Sequence, residues 1–167
     1  LYTHTAAVPE TLMTLRTEGK IAEVGVSNHT AAQVAALTAH LDVPVVSTQP
    51  EYSPVHLDPM RDGTFDQAME RGITPLAWSP LGGGRIATGD GLRPELLSVL
   101  DRLAEREGVG RATVALAFVL AHPSRVVPII GSQRTDRIAG ATAALTVRLD
   151  RTDVYQIVVA TDGIPLP

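Results

Sequence analysis

Four short stretches carry residue types able to hold a planar, phosphorylated ligand. The first is Trp78-Ser79-Pro80-Leu81-Gly82-Gly83-Gly84-Arg85, directly after the apolar run 73–77. Trp78 offers a flat ring, and the glycines leave backbone N–H groups unshielded for an anion. Arg85 adds charge suited to a pyrophosphate, or stands as a solvated side chain. Trp78 is the single tryptophan of the chain. A lone tryptophan is more often core than platform, and Ser79, Leu81 and Gly83 beside it tip the reading toward a ligand. The second stretch is Ser27-Asn28, whose side chains donate and accept hydrogen bonds and suit an amide on a ligand. They equally suit a turn into the next helix. Third, Gln49 carries both acceptor and donors and can pair with a primary amide, or is simply polar where the chain leaves its sheet. Tyr52, three residues on, reads as packing. Fourth, Gly131-Ser132 follows the run 126–130 and precedes Arg134 and Arg137. A strand, a Gly-Ser step and a helix start make an anion site. The plain alternative is a capped helix in which an arginine pairs with Asp136.

The elements that must position these residues alternate between strand and helix. Helices are expected over 9–17, from Thr30 through Leu41, over 64–71, 94–107, 113–121, 135–145 and 152–160. Strands are expected over 21–26, 43–48, 73–78 and 126–130, with 1–3 as the tail of another. Thr30-Ala31-Ala32-Gln33 has the pattern of a capping box. Pro94 opens its helix and Gly108 follows its end. Phe65 and Met69, four apart, are expected on one buried face. The segment 113–121 is apolar on nearly every side and should be sandwiched. Residues 81–93 read as a glycine-rich loop. The short apolar strands suit burial on both faces of a parallel sheet.

Composition narrows the class. The chain has 167 residues, of which 44% are hydrophobic and 19% charged, values of a single globular domain. A net charge of −4 with no basic block argues against nucleic acid as a partner. The absence of cysteine excludes a disulfide scaffold and thiolate metal sites. No stretch reads as a membrane span or signal peptide, so a cytoplasmic protein is the expectation. A doubly wound sheet is the second choice, because no G-x-G-x-x-G fingerprint follows a first strand. A (β/α)8 barrel fits better, since the candidate residues sit at the C-terminal ends of several strands.

The segments 20–28 (Lys-Ile-Ala-Glu-Val-Gly-Val-Ser-Asn), 49–53 (Gln-Pro-Glu-Tyr-Ser), 78–81 (Trp-Ser-Pro-Leu) and Ile130-Gly131-Ser132 with Arg137 resemble the aldo-keto reductase family in order and spacing. The resemblance covers nearly the whole chain. It implies an incomplete TIM-type barrel running from a stub of strand four to strand eight, forming the C-terminal part of one NADP(H)-dependent oxidoreductase domain. It implies that Ser27, Asn28 and Gln49 hold the nicotinamide amide and that Trp78 stacks on the ring. Ser79, Leu81 and Gly83 would line the pyrophosphate. Gly131, Ser132 and Arg137 would face the adenosine end and its 2′-phosphate. No metal is implied.

The family's catalytic set is an Asp, a Tyr, a Lys and a His. The first three belong to the first half of the barrel, and His4 stands where the fourth is expected. It would orient the carbonyl oxygen of a small aldehyde or ketone. Gly140 and Ala141 stand where the family often has an acid and an Asn. Two other classes remain open on the sequence: a non-catalytic nucleotide-binding module, and another β/α-barrel enzyme with a phosphorylated substrate. Such an incomplete barrel is expected to self-associate.

Overall fold

The computed structural model describes residues 7–164. Four parallel strands carry the candidate residues: β1 (Val24–Ser27), β2 (Val45–Gln49), β3 (Thr74–Ala77) and β4 (Val127–Pro128). Their order across the sheet is β1-β2-β3-β4, the order of the sequence. A doubly wound sheet reverses direction at a switch point, whereas a barrel adds each new strand on the same side. The sequential order is therefore that of a barrel sector, and the doubly wound alternative falls. Residues 1–3 and His4 lie outside the described residues.

Eight α-helices flank the strands among the described residues: α1 (Ala7–Thr17), which precedes β1, then α2 (Ala31–Thr38), α3 (Thr64–Arg71), α4 (Arg85–Thr88), α5 (Pro94–Glu107), α6 (Arg111–Leu120), α7 (Thr135–Ala141) and α8 (Arg151–Asp162). The capping box forms as expected. Gln33 N–H donates to Thr30 Oγ1 at 3.2 Å, and Thr30 N–H donates to Gln33 Oε1 at 2.9 Å. The α5 helix has the expected limits, with Pro94 in its first turn and Gly108 at φ 65° after its last. Residues 114–119 of α6 are all buried, so this helix is sandwiched as its composition requires.

Several elements differ from the sequence expectation. The strands are shorter and shifted. β1 ends at Ser27 instead of before it, and a register shift between Val24 and Gly25, which skips Val46 of β2, sets Ser27 opposite Gln49. The β4 ladder is two residues long, and Pro128 in it has no N–H to donate. Met69 is 49% exposed while Phe65 is 1% exposed. The buried stripe of α3 runs through Thr64, Phe65 and Ala68, one step to the side of Met69. The expected loop 81–93 contains a 3-10 turn (Gly82–Gly84) and the short α4. The expected single helix over 135–145 is α7 followed by a 3-10 turn (Thr142–Leu145).

The two faces of the sheet are unlike. Val24 and Val45 pack with Val34, Leu37, Ala68 and Ile73 on the helical side. Ala77 and Val126 join Tyr52, Phe65, Leu100 and Phe118 in the larger core. The other face carries Gly25 and Ser27 on β1, aligned with Ser47 and Gln49 on β2, then Thr74, Leu76 and Val127 in register. A Cβ on Gly25 would lie 2.3 Å from Ser47 Oγ, so glycine is what lets β1 and β2 close on this face. Ser27, Thr74 and Val127 are exposed. Burial on both faces is thus not what the described residues show. Small and polar residues line the β1–β2 part of the second face, Leu76 and Val127 its β3–β4 part, and the fully buried apolar residues lie on the helical one.

Tyr52 is packing, as expected. Its ring meets Phe65 edge-on at 4.8 Å and lies 5.6 Å from Phe118. Burial pushes its phenol well above the usual range. No helix among the described residues is long and apolar enough to cross a membrane.

Candidate functional site

Parallel strands all leave the sheet at one edge, and register decides which residues meet there. Ser27 pairs with Gln49, and one bridge further along the sheet Glu51 pairs with Trp78. The ends are laced by main-chain bonds: Asn28 N–H to Gln49 O at 3.1 Å, Trp78 N–H to Pro50 O at 3.0 Å, and Ile129 N–H to Ala77 O at 2.8 Å. The residues flagged from sequence on β1, β2 and β3 therefore form one cluster.

Side chains complete it. Ser27 Oγ–H donates to Gln49 O at 3.1 Å. The Trp78 indole Nε1–H donates to Asn28 Oδ1 at 2.8 Å. An indole N–H only donates, so the atom it meets must be the amide oxygen. The Asn28 Nδ2 group is left turned away from the bond, with its two hydrogens available. Asn28 adopts φ 54°, a left-handed conformation that asparagine tolerates better than most residues. That turn brings its amide back over the strand ends. Asn28 is exposed, and Trp78 and Gln49 are half-buried. The result is a flat ring at the mouth of the sheet, ringed by neutral amide and hydroxyl groups. A planar heterocycle bearing a carboxamide fits such a surface.

The glycine-rich turn behaves differently from the sequence reading. Gly82 N–H bonds to Ser79 O at 2.8 Å and Gly84 N–H to Leu81 O at 3.0 Å. Gly83 N–H bonds to Ser79 Oγ at 2.8 Å. All three amides are consumed inside the turn, so backbone capture of an anion by these glycines is not available in this conformation. A 3-10 turn uses its own amides, which is why the pattern Gly-Gly-Gly misleads. What remains is room: nothing lies within 4 Å of where a Cβ on Gly83 would stand. The Ser79 hydroxyl keeps its hydrogen to donate. Leu81 is half-buried and packs against the core below the turn. Arg85 Nε–H donates to Gly82 O at 3.0 Å, which keeps this exposed guanidinium beside the turn.

At the end of β4 the plain reading holds for one arginine and not for the other. Arg134 pairs with Asp136 through Nη2–H to Oδ2 at 2.6 Å and Nε–H to Oδ1 at 3.1 Å. Asp136 is held below its ordinary range, first by Arg134 and then by the amides of Arg137 and of Asp136 itself. The start of α7 thus already faces a carboxylate of its own. Ser132 Oγ accepts from Arg134 N–H at 3.2 Å, and Gly131 is exposed with open space before it. Arg137 is exposed, and its side chain forms no ion pair or hydrogen bond among the described residues. His4 lies outside the described residues. No cluster of metal-binding side chains occurs among them.

The sequence reading passed over Glu51. It stands two residues beyond Gln49, and period-two alternation was the available signal that it shares the face of the cluster.

This geometry has counterparts. A model of the aldo/keto reductase family matches residues 2–161. The chain is 47% identical over 150 residues to a 6-dehydroglucose reductase of Novosphingobium aromaticivorans, covering 89% of this chain and 49% of that protein. It is 39% identical over 154 residues to the oxidoreductase YdhF of Escherichia coli, covering 92% of this chain and 51% of that protein. The chain therefore spans about half the length of the curated relatives it matches. Its fold superposes on a solved thermostable aldo-keto reductase in complex with the inhibitor epalrestat, with a TM-score of 0.83 and 23% identity, over 93% of this chain and 54% of that one. With the family model covering almost all of the residues, and the sequential parallel sheet that its fold requires, the chain belongs to the aldo/keto reductase family.

Proposed function

We propose that this chain forms the nicotinamide cradle of an NADP(H)-dependent oxidoreductase that reduces aldehyde or ketone carbonyls. The observation that carries the reading is the Trp78–Asn28 hydrogen bond at the common strand edge, with Ser27 and Gln49 beside it. In this reading Trp78 seats the ring, and Ser27, Asn28 and Gln49 hold its carboxamide. Ser79, Leu81 and Gly83 border the pyrophosphate. Gly131 and Ser132 border the adenosine, and Arg137 meets the 2′-phosphate, which selects NADP over NAD. The bound nicotinamide supplies the hydride. The chain's own residues orient it and keep one face of the ring covered by the indole. His4 orients the carbonyl oxygen, and a Tyr paired with a Lys elsewhere in the barrel gives the proton. No metal takes part, and the enzyme works in the cytoplasm. Two relatives carry the name 6-dehydroglucose reductase, so oxidised sugars are the first carbonyl substrates to try.

Titration of the chain with NADPH and NADH tests the reading through the emission of its single tryptophan. Quenching that saturates at lower NADPH than NADH is expected. No quenching by either nucleotide, together with binding of a sugar phosphate, would instead favour a barrel enzyme with a phosphorylated substrate.

A further inference from the structure

Glu51 pairs across the sheet with Trp78. Its neighbour Tyr52 points into the core at 1% exposure, so alternation turns Glu51 to the opposite face, the face of Gln49. Its side chain is half-buried, and among the described residues it makes no hydrogen bond and no ion pair. Paired strands stand about 4.8 Å apart. An acid without a partner is therefore adjacent to the indole that forms the floor of the site.

We propose that Glu51 sets the redox preference of this site, favouring the oxidised nicotinamide over the reduced one. The inference rests on the nicotinamide reading above. The oxidised ring carries a positive charge and the reduced ring does not, so a nearby carboxylate acts on only one of them. Ser27, Asn28, Gln49 and Trp78 are uncharged and hold both forms alike. Partial burial limits the screening that would mute a fully exposed charge. Glu51 touches no reacting atom in this account; it biases the equilibrium between two bound states.

The test measures dissociation constants of NADP+ and NADPH by calorimetry for the full chain and for Glu51→Gln and Glu51→Asp. Glu51→Gln should weaken NADP+ about five- to tenfold, the size of one charge interaction at short range in a partly screened site. NADPH affinity should move by less than about twofold, and Glu51→Asp should keep most of the preference. Where glutamine is not accommodated, as judged by circular dichroism, Glu51→Ala is read the same way. Equal changes for both nucleotides, as expected if Glu51 instead pairs with a cation on the uncovered face, overturn the inference and leave the nicotinamide reading standing. So does an unchanged ratio. Failure of the wild-type chain to bind either nucleotide overturns that reading and the inference with it.

Discussion

The Trp78 indole donates to Asn28 Oδ1 at 2.8 Å, and so joins the ends of β1 and β3 across the intervening β2. One bond decides two things. It fixes the rotation of the ring at the mouth of the sheet, and it fixes which end of the Asn28 amide is left to meet a ligand. A ring platform whose rotation is set in advance loses less freedom on binding.

Breaking that bond should therefore weaken binding while leaving the fold intact. Asn28→Gly, which accepts the left-handed turn, is expected to lower NADPH affinity by about 0.5–1.5 kcal/mol, the net value of a hydrogen bond. Trp78→Ala should cost about 1–3 kcal/mol, from lost stacking and buried area. Calorimetry on both variants, with circular dichroism as the control for folding, measures this. Unchanged affinity for Trp78→Ala would remove the indole from the site.

Arg137 and Arg134 should separate cleanly. Arg134 is occupied by Asp136, whereas Arg137 is exposed and has no ion pair among the described residues. Arg137→Ala should raise the dissociation constant for NADP at least severalfold and barely move that for NAD, because only the former carries the 2′-phosphate. Arg134→Ala should change both little. An equal loss for both nucleotides on Arg137→Ala would place that side chain on a shared phosphate or in a structural role.

Stability should fall in two steps on acidification. Burial lowers the His122 pKa, with Asp66 opposing it. His122 Nδ1 accepts from Ser124 N–H at 3.2 Å, and the ring lies 4.4 Å from Phe65. A depressed histidine contributes stability above its unfolded value, about 6.5, that is lost as pH falls through the folded value. Lower down, Asp153 is depressed even though burial would raise it. The Arg106 hydrogen bonds, the Asp150 amide and the charges of Arg106 and Arg102 outweigh burial. Arg106 grips it bidentately at 2.9 and 2.8 Å, tying α5 to α8. That contribution is present above about pH 4 and is lost as pH falls through the depressed folded value. Denaturant melts across pH should show both steps, and His122→Phe should abolish the upper one. Asp153→Ala should cost about 1–3 kcal/mol at neutral pH, less than a fully buried pair, since the Arg106 side chain keeps 40% exposure and still reaches Glu107.

Residues 1–167 expressed alone should self-associate. The second face of the sheet is uncovered among the described residues, with Val127 at 47% exposure, and Ile130 just beyond β4 is 41% exposed. Among the described residues, β1 and β4 each have a neighbouring strand on one side only, and an open edge presents unpaired backbone groups. Apolar area and open edges together drive association. Light scattering at micromolar concentration should show dimers or larger species, and NADPH-dependent reduction of aldehydes should be absent. A monodisperse monomer with clear turnover would overturn this account of how the barrel face is covered and where the proton donor lies.

Much of this molecule is written in local pattern. The Thr30 capping box, the Pro94 start and Gly108 stop of α5, and the apolar girth of α6 depend on neighbours within a turn or two, so the sequence alone determined them. Local pattern also placed four strands in the right order, because an apolar run followed by a polar or aromatic residue marks a chain leaving its sheet, although their exact ends differ. Three things were decided only by tertiary structure. The register shift at Val24 set Ser27 opposite Gln49, which depends on how two strands pair. The Gly82–Gly84 turn used up its own amides, a matter of backbone dihedrals that three glycines leave open. The meeting of Trp78 with Asn28, fifty residues apart, required β2 to be placed between their strands, and no periodicity along the chain encodes which side chain lies two strands away.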